Sequence, residues 1–143
     1  MFLKYLINIK SILVLLLFLF VTSCAGTGSK IQPSISKQTS EYTNLYFVRQ
    51  GGYIAGGVLA KVEVNGVEIS KLGTKEYTSY KTSKNFKIKV SGAGIGGLGM
   101  GSDSSSGIAD GRNYFYIISV KQGLFSAKFI ITETTETGYN QAL

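Results

Sequence analysis

The chain has 143 residues, room for one domain, and it lacks histidine and tryptophan. With Cys24 as its one cysteine it can form no internal disulfide, no Cys/His zinc site and no Ser-His or Cys-His nucleophile pair. The formal charge is +7, and apolar residues make up 44% of the chain, 17 of them within residues 1–23.

Lys4 and Lys10 precede an unbroken apolar run of 10 residues, Ile12–Val21, and then the small residues Thr22, Ser23, Cys24 and Ala25. A charged, then apolar, then small-residue order predicts a signal-peptide helix over 1–23. A membrane-spanning helix needs about 17–25 residues, more than lie between Lys10 and the polar segment after Cys24. Val21-Thr22-Ser23-Cys24 resembles the lipobox of bacterial lipoproteins. That resemblance implies cleavage before Cys24, a diacylglycerol on its thiol and acylation of the freed amine. The alternatives are an uncleaved anchor, or a cleaved signal with a free thiol. By the sorting pattern of that class, Ala25 implies the outer membrane, on its periplasmic face, where the host has two membranes.

Residues 25–43 are rich in Ser, Thr, Gly, Lys and Gln, with Ile31 and Ile35 isolated. With Cys24 they read as a lipidated, flexible tether over 24–43. A coil of 18 residues spans roughly 20–25 Å, enough to hold a domain just clear of lipid headgroups. The domain itself is expected over 44–143. Leu45–Arg49 is apolar on both faces, which suggests a buried strand. Lys61–Val64 and Val67–Ser70 alternate around Asn65-Gly66, whose residues suit the positive φ angles of a type I′ turn. A two-residue turn opposes Val64 to Val67, Val62 to Ile69 and Glu63 to Glu68. The two glutamates repel, so that face belongs in water, with Lys61 and Lys71 near enough to compensate.

Glu76–Lys81 and Asn85–Ser91 are further strand candidates. In the second, Phe86, Ile88 and Val90 face one way, and Lys87 and Lys89 the other. Tyr114–Val120 reads as central, Ala127–Thr132 as its antiparallel neighbour, and Glu133–Leu143 as a short last strand around Gly138-Tyr139. About seven short strands with frequent turns predict an all-β fold, an antiparallel β-sandwich or small barrel.

Few residues invite chemistry. Gly94-Ile95-Gly96-Gly97-Leu98-Gly99 matches GxGxxG, but no helix follows to meet a pyrophosphate. The stretch 92–107 reads as a flexible Gly/Ser loop, or one that orders on a partner through Leu98, Met100 and Ile108. Asp103, Ser104–Ser106 and Asp110 are too poor in carboxylate for a calcium loop. No catalytic, cofactor or metal residue is assigned, and the chain reads as a non-enzyme, with a hydrolase using carboxylates alone as the remaining alternative. Beyond residue 23 the charge is +5, and Lys75, Lys81, Lys84, Lys87 and Lys89 fall within 15 residues. A lysine-rich solvent face that guards an edge strand explains this most simply. The alternative is a contact surface of Arg49, Lys81, Lys84, Lys87 and Lys89 for an envelope protein or an anionic cell-wall or lipid component. An exported protein has little occasion to bind nucleic acid. A tyrosine-lined sugar groove is the other binding reading. Glu63 and Glu68, the nearest thing to an acid/base pair, sit on an open hairpin.

Taken together, Leu45-Tyr46-Phe47-Val48-Arg49, the glycine-rich Gly51–Leu59 step, the Val62–Leu72 hairpin, Tyr77 and Gly111-Arg112-Asn113-Tyr114-Phe115-Tyr116-Ile117 resemble the bacterial envelope family catalogued as domain of unknown function 2846. The resemblance covers residues 45–132. It departs at Ser83-Lys84-Asn85, where the family often has Pro-Gly, and in the longer 92–107 loop. It implies a short lipoprotein with a compact β domain and no established activity. The expectation is a lipid-anchored envelope protein with a non-catalytic accessory or interaction module, or else a glycan- or cell-wall-binding module using exposed tyrosines and lysines.

Overall fold

The computed structural model describes residues 26–52 and 56–143, so the expected signal segment and Cys24 lie outside the described residues. Eight strands follow in order: β1 (Thr43–Arg49), β2 (Leu59–Val64), β3 (Val67–Leu72), β4 (Tyr77–Thr82), β5 (Phe86–Ala93), β6 (Asp103–Gly107), β7 (Asn113–Gln122) and β8 (Ala127–Thr134). A one-turn helix α1 (Glu136–Asn140) comes last. Two four-stranded sheets, ordered β4-β1-β7-β8 and β3-β2-β5-β6, form the predicted β-sandwich. We call them sheets A and B. Among the described residues no helix is long and apolar enough to cross a membrane.

The Asn65-Gly66 turn has φ angles of +51° and +82°, as a primed turn requires. Val64 faces Val67 and Glu63 faces Glu68, as expected, but a bulge between Val62 and Glu63 sets Val62 opposite Ser70 instead of Ile69. Lys61 and Lys71 do compensate the glutamates, pairing with Glu63 and Glu68 at 3.4 Å each.

Three features differ from the expectation. First, β1 runs parallel to β7, so sheet A is mixed. Parallel neighbours need a long crossover, and here the strands of sheet B fall within it. Second, the supposed flexible loop contributes an eighth strand. β6 pairs antiparallel with β5, and the Asp103 carboxylate accepts the Ile131 amide at 3.2 Å. Its Ser-rich sequence is tolerated because it is an edge strand. Third, the expected last strand is α1. Thr135 caps it by accepting the Gly138 amide at 3.1 Å.

Two cores explain why β1 reads as apolar on both faces. Leu45 and Phe47 point between the sheets with Val62, Ile88, Tyr116 and Phe129. Tyr46 and Val48 point outward into a second cluster with Tyr77, Phe115, Tyr139 and Ala142. Tyr46 stacks on Phe115 at 5.2 Å, and Tyr139 meets Tyr46 edge-on at 6.3 Å. This outer cluster is roofed by α1 and by the segment before β1.

That segment, read as tether, is docked on the domain over its described part. The Thr27 amide donates to Lys71 O on β3 at 2.8 Å, and Ser29 pairs with Tyr77 on β4. It therefore clasps the open side of the sandwich between the two sheets. Ile35 packs on the outer cluster, and the Tyr46 hydroxyl accepts the Ser36 amide at 2.8 Å. On the opposite side Gly101 bridges to Lys128, joining the start of β6 to β8.

Candidate functional site

The five basic residues expected to form one contact surface are divided by the fold. Lys87 and Lys89 point outward from β5, an inner strand of sheet B. Their β6 partners in the ladder are Ser106 and Ser104, and across β2 Lys89 faces Glu63. Neither lysine forms an ion pair among the described residues. The outer face of sheet B thus carries Lys61, Lys71, Lys87 and Lys89 against Glu63 and Glu68. Lys81 belongs to β4 of sheet A and pairs with Asn44 beside the outward Tyr46. It lies on the other face of the sandwich, because strand alternation restarts in each sheet. Lys84 is exposed in the turn between β4 and β5.

Arg49 corrects the expectation outright: it is 2% exposed and cannot serve as a contact surface. It ends β1 pointing inward, where Nη1 donates to Leu72 O at 2.8 Å and to Val58 O, and its guanidinium lies 5.3 Å over the Phe129 ring. Burial draws its pKa down, and the nearby Glu76 carboxylate opposes that shift. Glu76 is itself buried, accepts the Gly73 amide at 2.7 Å and pairs with Lys30 at 3.3 Å. A recess of about 130 Å³ opens beside Arg49, walled by Gln50, Gly51, Thr74, Ser119 and Val120. This lining has no carboxylate and no nucleophile with a base beside it.

Among the described residues the tyrosines do not gather into a sugar platform. Tyr46, Tyr77, Tyr114, Tyr116 and Tyr139 are buried; among the described residues Tyr42 is the exposed one, and Tyr80 is half-buried. The carboxylates disperse likewise. Asp110 is bonded to Arg112 Nε at 2.6 Å and to the Tyr114 hydroxyl at 3.1 Å, at the opposite end of the sandwich from Asp103. The GxGxxG stretch forms a 3-10 turn at Ile95–Gly97, not the start of a longer helix.

A second surface was only partly visible in the sequence. The odd-numbered strands all finish at one end of the sandwich, in register with the starts of the even-numbered ones. There the 3-10 turn lies flat on β5. Gly92 and Gly97 touch backbone to backbone, and a Cβ on Gly92 would stand 2.7 Å from the Gly97 Cα. This turns Ile95 and Leu98 outward, 89% and 78% exposed. Beside them the β7–β8 hairpin tip holds Leu124 and Phe125, 91% and 96% exposed. Leu98 was a sequence candidate. Ile108, proposed with it, is exposed near the other end, and Met100 packs on the core. No sequence pattern sets Leu124-Phe125 apart from a core pair. In comparisons with protein-family models, curated proteins and solved structures, the chain matches none.

Proposed function

We propose that this chain is a lipid-anchored cell-envelope protein, held by acyl chains on Cys24, whose β-sandwich is a non-catalytic interaction module. The likeness to the domain-of-unknown-function 2846 family belongs to this reading and adds no activity to it. The lipobox-like Val21–Cys24 supports the anchor. The observation that carries the interaction role is the outward pair Lys87 and Lys89, unpaired among the described residues and flanked by Ser104 and Ser106. Exposed lysines beside hydroxyl donors suit a phosphate- or carboxylate-bearing envelope component.

Photo-crosslinking in cells tests this, with the reactive group placed at Ser104 on the edge strand, the ladder partner of Lys89. The expected result is a discrete adduct that disappears in the K87E/K89E double variant. Adducts unchanged by charge reversal would refute the role of this face. Glycan binding, the second reading, would draw on these same lysines, with Tyr42 the exposed tyrosine among the described residues.

A further inference from the structure

We infer that the end of the sandwich carrying Ile95, Leu98, Leu124 and Phe125 is a membrane-seating face, inserted into the headgroup layer of the bilayer that holds the lipid anchor. This rests on the lipid-anchor reading and adds an orientation and a second attachment to it.

Three observations converge. The first is where the described chain begins. Gly26 is wedged at this same end, so closely that a Cβ on it would meet Gly73 N and Lys71 O at 2.9 Å each. Cys24 is two residues earlier and so within about 7 Å of that point. The segment that would otherwise be a tether is bonded down from Thr27 onward. An acylated Cys24 therefore has no slack with which to hold the domain clear of the headgroups.

The second is the exposed apolar set itself. Leu124 and Phe125 form a hairpin tip, and Ile95 and Leu98 a neighbouring turn, all more than three-quarters exposed. Large apolar side chains gathered on adjacent loops at one end indicate a surface that is covered in use. From β4, beside Gly26, to β8 the end is three strand spacings wide, about 14 Å. The acyl anchor and the apolar tips would then meet a flat bilayer at two separate points.

The third is charge. Lys121 and Lys128 face each other across the β7–β8 ladder just behind the Leu124-Phe125 tip, and Lys75 is exposed in the β3–β4 turn. Loops 93–102 and 121–128 contain no acid. Lysines placed one step back from an apolar tip reach the phosphates of anionic lipid while the tip enters the acyl boundary.

The experiment uses the full chain, extracted from membranes and reconstituted in phosphatidylcholine–phosphatidylglycerol vesicles with brominated acyl chains. The chain has no tryptophan, so F125W supplies a single reporter at an already exposed position. V67W, at the β2–β3 turn of the opposite end, is the control. Intact mass is read on the same samples. The expected result is an acylated chain in which the F125W indole shifts to the blue and loses most of its emission to bromine, while V67W emits as in water. An acylated chain with an unshifted, unquenched F125W indole would overturn the seating face and leave the anchor standing. Equal quenching at V67W would overturn the orientation. A chain without acyl mass on Cys24 would overturn the anchor, and this inference with it.

Discussion

Arg49 on sheet A donates through Nη1 to the carbonyl of Leu72 on sheet B, 2.8 Å away, and so ties the two sheets together at the edge of the core. Removing the side chain takes this donor from the Leu72 and Val58 carbonyls, the first of them buried, and strips a guanidinium off the Phe129 ring. Arg49→Ala should lower stability by about 2–4 kcal/mol. Arg49→Lys should recover only part of that, since one ammonium does not reproduce the planar fork. Urea unfolding with Lys87→Ala alongside checks this; the latter, on the surface, should stay within about 0.5 kcal/mol of the parent.

The Tyr116 hydroxyl is fully buried, with Ser105 as its polar neighbour but no hydrogen bond of good geometry. Burial pushes its pKa up to about 12, with the nearby Glu133 charge adding to the shift. A raised folded-state pKa means the folded chain holds this proton more tightly than the unfolded chain. Its contribution is complete below about pH 10, the unfolded value, and is lost as pH climbs from there toward 12. Tyr139 is shifted in the same direction, again by burial first. Stability should fall on the alkaline side by up to about 1.4 kcal/mol per pH unit for each tyrosine. The double variant Tyr116→Phe/Tyr139→Phe should flatten that slope. Denaturant titrations at stepped alkaline pH would show it.

Tyr139 separates packing from hydrogen bonding. Its ring fills the outer cluster beside Tyr77 and Phe115, but its hydroxyl has no hydrogen-bond partner among the described residues. Tyr139→Phe should be neutral or mildly stabilising, because it removes an unsatisfied polar atom. Tyr139→Ala should cost about 3–5 kcal/mol. If both variants unfold at the parent's urea midpoint, α1 does not close the outer core.

The clasp made by residues 27–29 depends on the tight seating of Gly26 against Gly73 and Glu76. Gly26→Val should displace it at a cost of about 1–3 kcal/mol. Amide hydrogen exchange should then quicken at Thr27, Ser29 and Tyr77, while Val62 and Ile118 in the core keep their protection. Unchanged exchange at Ser29 and Tyr77 would mean the clasp does not depend on this contact.

The parts of the fold legible in the sequence were those where side-chain alternation and turn chemistry agree. Asn65-Gly66 announces its hairpin through the φ angles it favours, and Phe86, Ile88 and Val90 announce the buried face of β5 by spacing alone. The bulge, which leaves Ile69 on β3 without an opposite residue, was not legible, because Val67-Glu68-Ile69-Ser70 alternates in sequence as an unbulged strand would. The docking of residues 26–42 was hidden because it rests on backbone bonds at Thr27 and Ser29 and on scattered polar contacts of Thr27, Lys30 and Ser36, with Ile35 the one side chain of the segment packed on an apolar cluster. β6 was missed for the same reason: Asp103-Ser104-Ser105-Ser106-Gly107 is held by its ladder and by one carboxylate. In the candidate site, Lys87 and Lys89 followed from alternation. Arg49 did not, since an arginine ending an apolar strand looks the same whether it turns to solvent or to a carbonyl.

Intact mass of the protein extracted from host membranes, beside a Cys24→Ser variant, tests the lipid attachment proposed at Cys24 most directly. The expected parent chain begins at Cys24 and carries acyl mass, and the variant lacks both cleavage and lipid. A full-length, unmodified parent chain would contradict it.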